Sequence, residues 1–161
     1  MNDLALARTL HVLGVVLWIG GLAFVTLVLQ PGLRDMRQPG GNDDAHATFE
    51  VFERRFARQT RYTTQLTGLS GLYMVWRLDL WSRFMEPAYW WMDAMLLLYL
   101  VFTVMLFVLE PYVLRRHFHA RAKHDPAAAL RTMLRLHRVL LAASLITIAG
   151  AVAGSHGWLI G

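Results

Sequence analysis

Apolar residues form long runs along this chain, and short polar segments rich in arginine separate them. Residues 9–33 and 139–161 contain no Asp, Glu, Lys or Arg, and about 20 apolar residues suffice for a helix to cross a bilayer. The second apolar segment is shorter, since only residues 62–76 are free of charge. The pattern predicts four membrane-spanning helices, at about residues 4–29, 58–78, 88–114 and 133–157.

The basic residues are distributed unevenly between the two sides of this arrangement. Thirteen of the sixteen Lys and Arg residues lie in the two connections that share one side, and Arg8, Arg77 and Arg83 lie on the other. Basic residues near spans favour the cytoplasmic side. The sequence therefore predicts an all-α, integral membrane, antiparallel four-helix bundle in the bacterial inner (cytoplasmic) membrane, with both termini in the periplasm.

Composition narrows the classes of partner and site. Hydrophobic residues make up 56% of the chain, and the net charge is +5. Because the basic residues flank apolar spans, we expect contact with the lipid bilayer and no binding of nucleic acid. The chain has no Cys, which excludes disulfides and thiolate metal sites.

His11 is the clearest candidate for chemistry, because a polar side chain inside a span is costly and is a functional candidate by default. It lies near the outer end of helix 1, and helical periodicity places Gly14, Trp18 and Gly21 near its face. An imidazole can bind haem iron, and small residues let a flat macrocycle approach. The alternative is a histidine that bonds to the backbone of a neighbouring helix.

Further candidates lie on the other helices. Gly68 and Gly71 in helix 2 either form a small-residue wall for a haem or allow close helix packing. Met95, about two turns inside helix 3, and His156, near the outer end of helix 4, are alternative second ligands for the iron. Taken alone, Met95 is more readily interpreted as a gap-filling core residue.

Several stretches together resemble a known family. Residues 11–21, with His11, Trp18, Gly20 and Gly21, resemble the first-helix motif of the CopD-like (copper resistance D) integral membrane proteins and of the related HemJ-type protoporphyrinogen oxidases. The entry to helix 2 and the end of helix 3 are similar to the same group. The matching positions there are residues 52–55, Arg58, Gly71, residues 111–116 and residues 134–135.

The resemblance covers nearly the whole chain and implies a four-helix inner-membrane fold. For the HemJ type it also implies b-type haem on the first-helix histidine, which matches His11. That type uses a Lys early in helix 3, and alignment on Trp91 places Met95 there instead. Protoporphyrinogen oxidase activity is therefore in doubt, whereas haem binding need not be lost, because Met can also ligate haem iron.

A haem-binding redox protein is the first expected function. His11 and either Met95 or His156 would ligate haem b, and the protein would exchange electrons with a quinone, a porphyrin or a redox partner protein. Such a protein is a candidate haem-dependent oxidoreductase. The remaining pocket residues would be Gly14, Trp18, Gly68 and Gly71, with Arg8 as a partner for the haem propionates.

Two alternatives stay open from the sequence. Copper handling follows from the CopD resemblance and from His and Met ligands that suit Cu(I); His11, Met95 and His156 would then hold the metal. The other alternative is a cofactor-free accessory membrane subunit, acting as a homodimer or with a partner protein.

Overall fold

The computed structural model describes residues 2–32, 44–114 and 126–158, which are almost entirely helical and contain no strand. There are four long helices: α1 (Asn2–Phe24), α2 (Asp44–Arg77), α3 (Trp90–Val104) and α4 (Pro126–Ser155). Two of them continue as π-helix, α1 through Val25–Leu29 and α3 through Met105–Leu114. Two 3-10 helices, Trp81–Met85 and Pro87–Tyr89, join α2 to α3. The all-α prediction and the number of long helices are confirmed.

The first helix does not stop at the Gln30-Pro31-Gly32 breaker, where the sequence predicted its end. It remains helical to Gly32, and the backbone N–H of Gln30 bonds to the carbonyl of Val25, five residues earlier. A proline ring clashes with the carbonyl four residues before it in a regular α-helix. The wider π turn is the local adjustment that accompanies Pro31, and Pro111 lies in the second π-helical segment.

Adjacent helices are antiparallel, and paired contacts give their register. Along α1 and α2, Gly21 lies beside Phe56 and His11 lies beside Gly71. The other neighbours meet through a glycine and an aromatic ring or through a polar pair: Gly68 with Tyr99 (α2–α3), Gly154 with Trp91 (α3–α4), and Gln30 with His137 (α1–α4). The four helices therefore enclose a common centre, where Trp18, Ile19, Leu22, Phe102, Leu140 and Leu141 pack together.

Beside its apolar core, this bundle buries polar residues and exposes large apolar ones, which a soluble protein rarely does on this scale. The buried polar residues include five on one stripe of α2: Thr60, Thr63, Thr64, Thr67 and Ser70. Large apolar side chains face outward instead, as at Leu27 (64% exposed) and Leu97 (62% exposed). Exposed apolar surface on this scale marks contact with a partner or a membrane.

Three helical stretches are long and apolar enough to cross a membrane: Asn2–Gly32, Pro87–Leu109 and Leu134–Ser155. They overlap in sequence with the first, third and fourth predicted spans, and the second predicted span, residues 58–78, is not among them. All four spans stay predictions.

Candidate functional site

His11 of α1 is held against the backbone of α2. Its Nδ1 lies 2.9 Å from the carbonyl oxygen of Thr67 and 3.4 Å from Ser70 Oγ. A carbonyl oxygen only accepts hydrogen bonds, so Nδ1 carries the proton and donates it. The Ser70 hydroxyl itself donates to the Leu66 carbonyl at 2.6 Å. The neutral imidazole is therefore fixed in one tautomer, with its lone pair on Nε2.

Two glycines allow α1 and α2 to approach closely at this point. A Cβ atom added at Gly71 would lie 3.0 Å from His11 Cε1 and 3.2 Å from its Nδ1. A Cβ atom added at Gly14 would overlap the hydroxyl of Thr67. Both positions thus serve the contact between the His11 face and α2, as small residues do between membrane helices.

Gly68 faces a different neighbour. Its Cα is covered by the ring of Tyr99 from α3, and the Tyr99 hydroxyl donates to Gln65 Oε1 at 3.1 Å. The surfaces of Gly68 and Gly71 that were predicted to line a haem are therefore in contact with protein rings, those of Tyr99 and His11.

Trp18 lies deeper in the bundle, seven residues or roughly 10 Å along α1 from His11. It is buried and packs edge-on against Phe102, with ring centroids 4.8 Å apart and planes at 89°. Within the part of the chain that the structure describes, its indole Nε1 has no hydrogen-bond partner. Trp18 was predicted to lie near the face of His11, and it is buried in the bundle.

The two alternative second ligands occupy different heights. Met95 is half-buried, one turn from Tyr99 towards the Trp90 end of α3. His156 is exposed, beyond the end of α4, and its Nδ1 lies 2.7 Å from the Val152 carbonyl.

The register of α3 and α4 shows how far His156 lies from the His11 level. Gly154 contacts Trp91, which is eight residues or roughly 12 Å along α3 from the Tyr99–Gly68 contact. The structure thus brings His11 together with Thr67, Ser70 and Gly71, and it places His156 about two turns further out.

The charged residues at the outer end form a separate cluster. Asp3 Oδ2 accepts a hydrogen bond from the Tyr73 hydroxyl at 2.9 Å. The same oxygen forms an ion pair with Arg77 Nε at 3.3 Å. Arg8, the predicted propionate partner, is exposed. Over residues 2–32, 44–114 and 126–158, no group of three or more His, Cys, Asp or Glu side chains is arranged to hold a metal ion.

The polar stripe of α2 is the feature that sequence reasoning missed. Its Thr and Ser residues recur at helical spacing from Thr60 to Ser70, while Leu69, Leu72 and Trp76 on other faces are exposed. That reversed amphipathicity was visible in the sequence. In such a helix the polar side packs against the protein, and the apolar side lies on the outer surface of the bundle.

A second histidine has a buried polar partner at the opposite end of the bundle. His137 is half-buried, and its Nδ1 lies 2.8 Å from Gln30 Nε2. Since the amide nitrogen donates, His137 accepts at Nδ1. The tautomer of His137 is thus the opposite of that of His11.

No family model, curated protein or solved structure matches this chain. The resemblance to CopD-like proteins therefore rests on the residues quoted for it, and the function is argued from the site itself.

Proposed function

We propose that this protein is a four-helix protein of the bacterial inner membrane that binds b-type haem through His11. The observation that carries the proposal is the hydrogen bond from His11 Nδ1 to the Thr67 carbonyl. Metal-binding histidines commonly donate their second ring N–H to a backbone carbonyl or carboxylate, which orients the ring and increases ligand basicity. His11 has this arrangement, with Nε2 left as the ligand atom.

The donor chemistry of His11 fits haem iron, whereas the glycines of the predicted small-residue wall are in contact with protein rings. Gly68 and Gly71 face Tyr99 and the His11 ring, so these contacts support helix packing and lend no support to a haem wall. When bound, haem supplies a reversible one-electron change. His11 would hold the iron, and the Thr67 carbonyl would orient the imidazole.

Met95 is the better second ligand on the present geometry. It is half-buried and lies within the span of α3, whereas His156 is exposed and already bonded to its own helix. Methionine opposite histidine raises the reduction potential of haem iron. The site would then favour the reduced state and exchange electrons with a quinone, a porphyrin or a partner protein.

The membrane location is supported by the inverted burial of the bundle. Three helices could span a bilayer, the outward surface is apolar, and the polar residues of α2 face inward. Polar side chains on membrane helices lie towards the protein interior. The excess of Arg and Lys in two connections predicts that both termini are periplasmic.

An absorption spectrum of the detergent-purified protein, oxidised and then reduced with dithionite, tests the haem proposal. We expect a Soret band and sharp reduced α and β bands. His11→Ala should lose them and regain part of them with added imidazole, whereas His137→Ala should keep them. Size-exclusion profiles show whether each variant is folded.

The Met95→Leu variant tests the second ligand, because the side-chain volumes are similar. We expect retained haem with an altered α band and a lower reduction potential. A spectrum without a Soret band, from cells supplied with haem, would overturn the proposal, and bound copper in that sample would favour the copper-handling alternative.

A further inference from the structure

Four buried polar atoms lie without a protein hydrogen-bond partner at one height inside the bundle, judged over the described part of the chain. They are the indole Nε1 of Trp18 and the hydroxyl oxygens of Thr60, Thr64 and Thr103. Trp18 is 5% exposed, Thr60 is 3% exposed and Thr64 is fully buried. Three different helices contribute these atoms.

The helix register places the four residues within about one turn of each other. On α1 and α2, Gly14 lies beside Thr63 and Gly21 lies beside Phe56, so Trp18 falls at the height of Thr60. On α2 and α3, Gly68 lies beside Tyr99. Antiparallel helices advance in opposite directions, so Thr103, four residues after Tyr99, falls beside Thr64, four residues before Gly68.

The neighbouring hydroxyls on α2 behave differently. Thr63 and Thr67 donate to carbonyls four residues earlier, at 3.1 and 2.8 Å, which is the usual way a helix satisfies a Thr hydroxyl. Thr60 and Thr64 face the centre of the bundle without such a bond. Native proteins pair nearly all buried polar groups, with protein or with ordered water, so four orphans at one height require a common partner.

The surroundings limit what that partner is. Leu22, Leu140 and Leu141 form an apolar layer that packs against Trp18 and lies between this height and the Gln30–His137 pair. Towards the other end, Thr67 and His11 follow within one to two turns. The partner must accept from an indole N–H and both donate to and accept from hydroxyls, and water meets these requirements in a small volume.

We propose that Trp18, Thr60, Thr64 and Thr103 form a binding site for a cluster of ordered water molecules shared by α1, α2 and α3. The site lies on the His11 side of the apolar layer, so its water is reached from the predicted periplasmic side. The proposal does not depend on haem, because it rests on residues that the haem site does not use as ligands.

Nuclear magnetic resonance of protein labelled with ¹⁵N-tryptophan, in detergent, tests this site. Trp18→Phe removes the indole N–H, keeps an aromatic ring, and so assigns the Trp18 resonance. We expect a dipolar cross-peak between the Trp18 indole proton and water. The cross-peak should weaken in Thr64→Val, since that variant removes one of the three hydroxyls that hold the water. Its absence in the wild-type protein, or an unchanged cross-peak in Thr64→Val, would overturn the proposal.

Thermal unfolding gives a second and independent readout. If the hydroxyl of Thr64 binds ordered water, Thr64→Val should lower the melting temperature at least as much as Thr147→Val. Thr147 is an equally buried control whose hydroxyl donates to the Ala143 carbonyl at 2.9 Å. If the hydroxyl is unpaired, its removal relieves an unfavourable burial, and a rise in melting temperature would overturn the proposal.

Discussion

Replacing Gly68 by Ala tests the close packing of α2 on α3. The new Cβ would overlap the Tyr99 ring, and moving that ring would break the 3.1 Å hydrogen bond to Gln65. Overpacking costs about 1–3 kcal/mol, and the lost hydrogen bond costs about 0.5–1.5 kcal/mol. Ala gains about 0.8–1.0 kcal/mol over Gly in a helix interior, so we expect a net loss of about 0.5–3.7 kcal/mol, centred near 2 kcal/mol.

Thermal unfolding in one detergent measures this loss, since 1 kcal/mol corresponds to about 2–4 °C for a chain of this size. Gly20→Ala is the matched control, because no atom lies within 4 Å of the Cβ it would add. The control should be unchanged or slightly more stable. Tyr99→Leu combined with Gly68→Ala should recover part of the loss. A Gly68→Ala variant as stable as Gly20→Ala would refute the proposed packing.

Two further predictions concern the inverted burial and the orientation of the bundle. Leu22→Ala should destabilise the folded protein by about 2–5 kcal/mol, because Leu22 is 2% exposed in the core. Leu27→Ala, at an outward position, should have a much smaller effect in the same unfolding assay. Equal effects would contradict the burial pattern. The chain has no Cys, so a single introduced cysteine reports topology without labelling of native thiols. Ser82→Cys should react with an impermeant maleimide in spheroplasts, and Arg131→Cys should react only after lysis. The opposite result would reverse the proposed orientation.

The helices could be predicted from the sequence because each is marked by a run of apolar residues or by a breaker. The start of α4 at Pro126 follows from the preference of proline for the first helical turn. The π-helical segments could not be predicted, because the effect of Pro31 and Pro111 depends on whether the surrounding backbone can widen. At both prolines the described backbone is helical on either side, as far as Gly32 and Leu114.

Only part of the candidate site could be predicted, because the sequence shows which residues share a helix face but not what packs against that face. Helical periodicity placed Gly14 and Trp18 on the face of His11, and both are buried. The partner of His11, the Thr67 carbonyl, is 56 residues away, and every residue has a carbonyl, so no local pattern identifies it. The glycines were correctly recognised as sites of close approach, but the sequence did not say whether a haem or a protein ring would approach them.

α2 illustrates why a helix that crosses a membrane can fail a test based on mean hydropathy. It runs antiparallel to α1 from the Asp3–Tyr73 contact to the Gly21–Phe56 contact, a stretch of about 27 Å at 1.5 Å per residue, close to the roughly 30 Å hydrocarbon core of a bilayer. If α1 crosses the membrane as proposed, α2 must lie in the same layer. Its Thr and Ser residues lower its mean hydropathy, but they face the protein, and a bilayer would contact only the outward face.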